Sequence, residues 1–209
     1  MKLLLFGATG GTGREILSQG LAAGHHITAF VRNPTAITIK DDKLLVTKKG
    51  DLADQRAIED ALRGKDAVIS ALGNKTGMAL RQPNTIISDG LRNILRGMNA
   101  TNVSRLIFIT SFGVSDTIVL PEKLFIKIFL KNIFADIPLQ ESLIKQSSLE
   151  WTIVRPARFV NGQKTGSYKS GENLPIGLFS KISRADVADF ILKNLADPKT
   201  LQKIMTVSY

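Results

Sequence analysis

Gly7, Gly10 and Gly13 stand three residues apart in the run Leu3-Leu4-Leu5-Phe6-Gly7-Ala8-Thr9-Gly10-Gly11-Thr12-Gly13-Arg14. That spacing suits the holding of a pyrophosphate. Gly7 allows a tight turn, Gly10 lets backbone approach the phosphates, and Gly13 lets a helix pack on the strand before it. With Thr9, Gly11 and Thr12 they form a loop whose free N–H groups and positive helix end face an anion. The reading is a dinucleotide-binding loop with GxxGxxG in place of the commoner GxGxxG. A ligand-free glycine turn has the same composition. The context separates the two, because an apolar run precedes the glycines and a helical pattern follows at once. No Gly-Lys-Ser/Thr follows, which excludes a Walker phosphate loop.

Further polar residues follow other apolar runs. Arg32 ends Ala29-Phe30-Val31, where an NAD-selective site carries an acid for the ribose 2′-OH. An arginine there pairs with a 2′-phosphate, so NADPH (NADP) is the expected cofactor. Arg14 either adds a second cation or is an exposed helix arginine. Asp51 can accept from an adenine amine with Leu52 covering the ring, or it caps the next helix. Leu72 and Gly73 end a fourth run, where glycine admits the cofactor's ribose or simply makes a turn. Thr110 and Ser111 end a fifth. The Ser111 hydroxyl is expected at the nicotinamide, holding a carboxamide or a substrate carbonyl, unless it only caps local backbone. Pro156, after a sixth run, is expected on the cofactor side. Phe112, Arg158 and Phe159 are expected on the substrate side, with Arg158 pairing with a substrate anion or standing as a surface arginine.

Some chemistry is missing. The two tyrosines form no Tyr-x-x-x-Lys pair, since Glu172 stands four residues after Tyr168 and Tyr209 is the last residue. His25 and His26 fall between the first helix and second strand, at the end of the sheet away from the loops. A Ser-His-Asp hydrolase and a histidine acid are thereby disfavoured. With no cysteine, disulfides, thiolate catalysis and zinc-thiolate sites are excluded, and no metal site is expected. Hydride transfer to a conjugated acceptor (a flavin, a linear tetrapyrrole or a quinone) fits, because solvent can supply the proton.

The elements that must position these residues alternate along the chain. Strands are expected at Lys2–Phe6, Ile27–Val31, Leu44–Lys48, Ala67–Ala71, Leu106–Thr110, Trp151–Arg155 and Ile204–Val207, each buried on both faces. Helices are expected at Thr12–Ala23, Gln55–Leu62, Asn84–Ala100, Pro121–Phe134, Leu139–Ser147 and Arg184–Ala196. Ser183 and Asp186 read as the cap of the last. The pattern predicts an α/β fold with a doubly wound parallel sheet, a Rossmann NAD(P)-binding domain spanning 1–209. Substrate-side segments at about 112–145 and 156–183 would form a small C-terminal lobe, with Asn161–Ser180 irregular. All the polar residues above then line one sheet edge, where ligands bind near the strand-order switch.

The ordered set Gly7-Ala8-Thr9-Gly10-Gly11-Thr12-Gly13, Val31-Arg32, Gly50-Asp51-Leu52, Asp66-Ala67-Val68-Ile69, Gly90-Leu91-Arg92-Asn93-Ile94, Thr110-Ser111, Leu149-Glu150-Trp151 and Arg155-Pro156 resembles the atypical short-chain dehydrogenase/reductase superfamily. The resemblance is to its NmrA-like group and to biliverdin reductase B, the flavin reductase type. It implies NADPH held by the glycine loop, Arg32 and Asp51-Leu52, with Ser111 at the nicotinamide. It also implies reduction of flavin (FMN) or biliverdin-like tetrapyrroles. Where the flavin reductase type has histidines near its substrate pocket, this chain has Asp136 and Arg158. A non-enzymatic NADP-sensing regulator of the NmrA type would use the same nucleotide site. A nucleotide-sugar epimerase ranks lower, for want of the tyrosine.

The net charge is +10 and the pI about 9.9, which suits a small anionic conjugated substrate as partner. No nucleic-acid motif and no bilayer-length apolar run stands out, so nucleic acid, stable membrane insertion and an extracytoplasmic location are not expected. A cytoplasmic monomer is. In Pro121–Phe134, Lys123, Lys127 and Lys131 share one helix face. That helix is read as packed with a wet lysine face, the alternatives being a pocket wall, a partner face or a membrane contact.

Overall fold

The computed structural model describes residues 1–40, 42–73, 85–111, 136–177 and 179–209. The expected helix over 121–134 and the site residue Phe112 lie outside them. Leu3, Leu4, Leu5 and Phe6 of β1 (Lys2–Phe6) are all fully buried. Successive strand side chains point to opposite faces, so this continuous apolar run requires a layer on each side. Leu3 and Leu5 join one core, shared with Ile16, Leu17 and Ile191. Leu4 and Phe6 join the other, shared with Ile58, Leu62 and Leu91.

The helices supply those two layers. α1 (Gly11–Ala22) and α5 (Arg184–Lys193) pack together on the first face. α2 (Gln55–Leu62) and α3 (Ile86–Thr101) pack together on the second, and α4 (Ile137–Lys145) packs against α3. Each buries an apolar stripe on the sheet and leaves polar residues outward.

The sheet has eight strands in the order β3-β2-β1-β4-β5-β6-β10-β8. These are β2 (His26–Val31), β3 (Leu45–Lys49), β4 (Ala67–Ser70), β5 (Arg105–Ile109), β6 (Glu150–Pro156), β8 (Lys169–Gly171) and β10 (Lys203–Ser208) around β1. The order reverses between β1 and β4, which makes that gap the switch point. All pairings are parallel except β8 with β10. The result is a mostly parallel, single-domain Rossmann-like fold with helices on both faces. No described helix is long and apolar enough to cross a membrane.

Two expectations need correcting. Leu44–Lys48 was expected to be buried on both faces; the strand is an edge, with Val46 58% exposed, because no described strand pairs beyond it. Asn161–Ser180 is not wholly irregular: β8 adds an antiparallel strand to the main sheet, so the sheet is not purely parallel. Short β7 (Arg158–Val160) and β9 (Lys181–Ser183) pair in a separate two-stranded ribbon. Three-residue strands carry too few side chains for alternation to be read.

Arg105 shows how the far end of the sheet is tied. It is buried, and its guanidinium donates to the carbonyls of Leu195, Asn194 and Glu150 and to Thr152 Oγ1 at 2.8–2.9 Å. Burial pulls its pKa down to about 10 against the opposing pull of Glu150 and Asp197. The carbonyls of Asn194 and Leu195 are among the orphan acceptors just past the last turn of α5. Arg105 is therefore a structural fork.

Candidate cofactor site

The glycine loop bridges β1 and α1 at the switch point. Gly7 has φ of +80°, and a Cβ there would run into the Ala71 carbonyl just past β4. A Cβ on Gly13 would strike the Gly7 carbonyl. Only residues without side chains allow the loop to close this tightly, with Gly10 N–H donating to Gly7 O at 3.0 Å. Gly10 is the N-cap of α1. It makes no side-chain cap bond, and the first turn carries no acid. The first N–H groups of α1 are thus left for a phosphate. Thr12 is buried and Thr9 half-buried beside them. These residues fit a dinucleotide, with the cradle made where a side chain would fill it.

Because β1 to β6 are parallel, the glycine loop, Arg32, Asp51, Leu72, Thr110 and Ser111 follow strand C-termini on one edge. Arg32 is exposed after β2, and Asn33 next to it caps a short turn by accepting from Thr35 N–H at 3.1 Å. Arg14 is exposed on α1 and lines a cavity of about 270 Å³ between that helix and Ala36–Ile39. Leu72 is half-buried and Gly73 exposed after β4, and a Cβ on Gly73 would meet no described atom within 4 Å. Close backbone approach there is permitted by open space and does not demand glycine.

Asp51 is exposed after β3. Its Oδ1 accepts from Ala53 N–H at 2.9 Å, a local turn. The cap of α2 is Asp54, which accepts from Ala57 N–H at 3.0 Å. The capping alternative for Asp51 is thereby corrected: the cap stands three residues later. Leu52 is half-buried against α3, where a Cβ on Gly90 would stand 2.8 Å from its Cδ1. Its carbonyl accepts from Asn93 at 2.8 Å.

Thr110 and Ser111 follow β5. The Thr110 hydroxyl donates to Glu141 Oε1 at 3.1 Å and so faces α4. Ser111 is half-buried at the open edge. Pro156 closes β6, and Arg158 is exposed at the start of β7. Phe159 is half-buried beneath the guanidinium of Arg184, 5.1 Å from its ring centroid.

Both phenols are engaged with carboxylates. Tyr168 donates to Asp189 Oδ2 at 2.8 Å, and burial followed by that carboxylate pushes its pKa well above the ordinary value. Tyr209 donates to Asp186 Oδ2 at 2.6 Å. Ser183 caps α5 as expected, its Oγ accepting from Asp186 N–H at 2.9 Å. His26 begins β2, at the opposite edge of the sheet. Among the described residues no group of three or more His, Cys, Asp or Glu could hold a metal.

Sequence reasoning passed over Arg184, Asn161, Asp186 as an anchor, and Glu141. The Ser183 to Asp186 cap brackets Arg184, so a signal for its position was present. Nothing local marks Glu141 or Asn161, whose partners come from other segments.

The profile of the NAD(P)H-binding family matches residues 7–198. The uncharacterized protein YwnB of Bacillus subtilis is 29% identical over 99% of this chain and 98% of its own length. A structure described as ChuY, an anaerobillin reductase from Escherichia coli O157:H7, covers 99% of this chain and 96% of that one. Its TM-score is 0.78 at 24% identity. A Veillonella parvula short-chain dehydrogenase/reductase in complex with NADP covers 100% and 94%, with TM-score 0.78 at 17% identity. At such identities the structures share the fold. With the glycine cradle and a family match across nearly its whole length, the chain belongs to the NAD(P)H-binding family and has its Rossmann-like fold.

Proposed function

We propose that this protein is an NADPH-dependent reductase of small, anionic, conjugated acceptors, flavins such as FMN or linear tetrapyrroles of the biliverdin kind. One observation carries the reading: Tyr168 and Tyr209, the chain's two phenols, are spent on Asp189 and Asp186. Glu172, not a lysine, stands four residues after Tyr168. An acceptor whose reduction needs no protein phenol fits that arrangement, since hydride adds to a conjugated system and solvent supplies the proton.

The bound nicotinamide would supply the hydride. The glycine loop and the start of α1 hold its phosphates, and Arg32 takes the 2′-phosphate, with no acid at the end of β2 to select NAD. Asp51 and Leu52 face the adenine, and Leu72, Gly73, Thr110 and Pro156 flank the middle of the cofactor. Ser111 orients the carboxamide or the acceptor carbonyl. Arg158, exposed at the substrate side, pairs with the acceptor's phosphate or propionate. The same scaffold carries an anaerobillin reductase in Escherichia coli.

The test is NADPH oxidation at 340 nm with FMN and biliverdin, for wild type and Ser111→Ala. Turnover that falls in rate with Ser111→Ala supports the reading. Tight NADPH binding with no turnover on any acceptor would select the nucleotide-sensing regulator in its place.

A further inference from the structure

Arg184, the first residue of α5, lies over the glycine loop from the other side of the crevice. A Cβ built on Gly11 would stand 2.6 Å from Arg184 Nε and 2.7 Å from its Cδ. A side chain at residue 11 would therefore displace the arginine from its present position. Two other groups fix the guanidinium. Its Nη1 donates to Asn161 Oδ1 at 2.7 Å, and its Cζ sits 5.1 Å from the Phe159 ring centroid. Both partners are neutral, and among the described residues Arg184 is in no ion pair. A cation with no counter-charge among the described residues is thus held beside the uncapped, acid-free first turn of α1. Two sources of positive potential on separate elements face one spot, and a planar fork fixed in advance loses little freedom on gripping phosphate oxygens.

We propose that Arg184 is a pyrophosphate clamp, gripping from α5 the same diphosphate that the glycine loop holds from α1. The proposal rests on the dinucleotide reading and adds a residue to it. Arg32 answers the 2′-phosphate that distinguishes NADP, whereas Arg184 answers the group that NADP and NAD share. Its removal therefore weakens both dinucleotides by the same factor and leaves the NADP preference untouched.

Wild type, Arg184→Ala and Arg184→Lys are titrated with NADP⁺ and NAD⁺ by calorimetry and with 2′-AMP, which lacks a pyrophosphate, by NMR. Melting curves of each variant accompany the titrations. The expected result for Arg184→Ala is about ten- to hundredfold weaker binding of both dinucleotides, the loss of a charge-assisted contact. Its 2′-AMP binding is unchanged, and Arg184→Lys recovers part of the loss. Wild-type dinucleotide affinity in Arg184→Ala overturns the clamp and leaves the dinucleotide reading standing. An equal loss for 2′-AMP also overturns it, because the residue then acts only on the shape of the loop. A wild-type protein that binds neither dinucleotide overturns both. Because Arg184→Lys keeps the charge and most of the stem, it decides the matter should the alanine variant melt early.

Discussion

Arg155 on β6 grips Glu141 on α4 with two hydrogen bonds, Nε to Oε1 at 2.9 Å and Nη2 to Oε2 at 2.5 Å. Thr110 donates to the same Oε1 at 3.1 Å. The pair ties α4 to the ends of β5 and β6 just below Ser111, in a place where Glu141 is 4% exposed. Glu141→Gln would leave the half-buried arginine without its counter-charge. A loss of about 3 kcal/mol is expected, read from the midpoint of urea unfolding at constant slope. An unmoved midpoint would show that the pair contributes nothing net.

Asp186 gathers hydrogen bonds from Thr165 N–H and Oγ1, Gly166 N–H, Ser183 Oγ and Tyr209 Oη, at 2.6–3.0 Å. Burial pushes its pKa up, but the bonds from Tyr209, Gly166 and Thr165 outweigh it and hold the group at about 2. The folded value lies below the unfolded one, near the ordinary 3.8. The stability it contributes is therefore full above the unfolded value and is lost as pH falls from about 4 towards about 2. Asp186→Asn is expected to be less stable at neutral pH and to show a shallower decline in that acid window, checked by urea midpoints across pH. A decline of equal steepness would assign the acid sensitivity to other carboxylates.

Gly13→Ala would place a methyl group against the Gly7 carbonyl. Both partners are backbone, so no side chain can swing aside. A loss of about 3 kcal/mol is expected, at the upper end for an overpacked site. Gly73→Ala, whose Cβ meets no described atom within 4 Å, should stay within about 0.5 kcal/mol of wild type. Thermal melting of the two side by side checks the contrast.

Arg32→Ala is expected to weaken NADP⁺ binding by about tenfold or more while leaving NAD⁺ binding unchanged, because only the 2′-phosphate is lost as a partner. Arg32→Asp should go further and favour NAD⁺. Equal losses for both dinucleotides would place Arg32 away from the 2′-phosphate.

The observed helix Gln55–Leu62 matches expectation at both ends, and the remaining expected strands lie within two residues of the observed ones. Apolar periodicity and cap chemistry are local signals, and these segments carry them strongly. The backbone geometry of the glycine loop was legible to the same degree. Gly7, Gly10 and Gly13 advertise their backbone roles by type and spacing, and strand ends place Arg32, Asp51 and Ser111 on one edge once the strands are known to be parallel. Thr110 was legible only as to place, since the carboxylate its hydroxyl meets comes from α4.

By itself the sequence determined the alternation of strands and helices, the glycine loop at the start of the first helix, and the cap of the last. Each follows from torsional freedom, periodicity or hydrogen bonding within a few residues. The tertiary structure alone decided that β3 is an exposed edge, that β8 runs antiparallel to β10, that Asp54 and not Asp51 caps α2, and that Arg184 lies on Gly11. Most of these depend on which segments meet across the fold. The cap turns on a shift of three residues, which falls within the uncertainty of a helix end until the chain is folded.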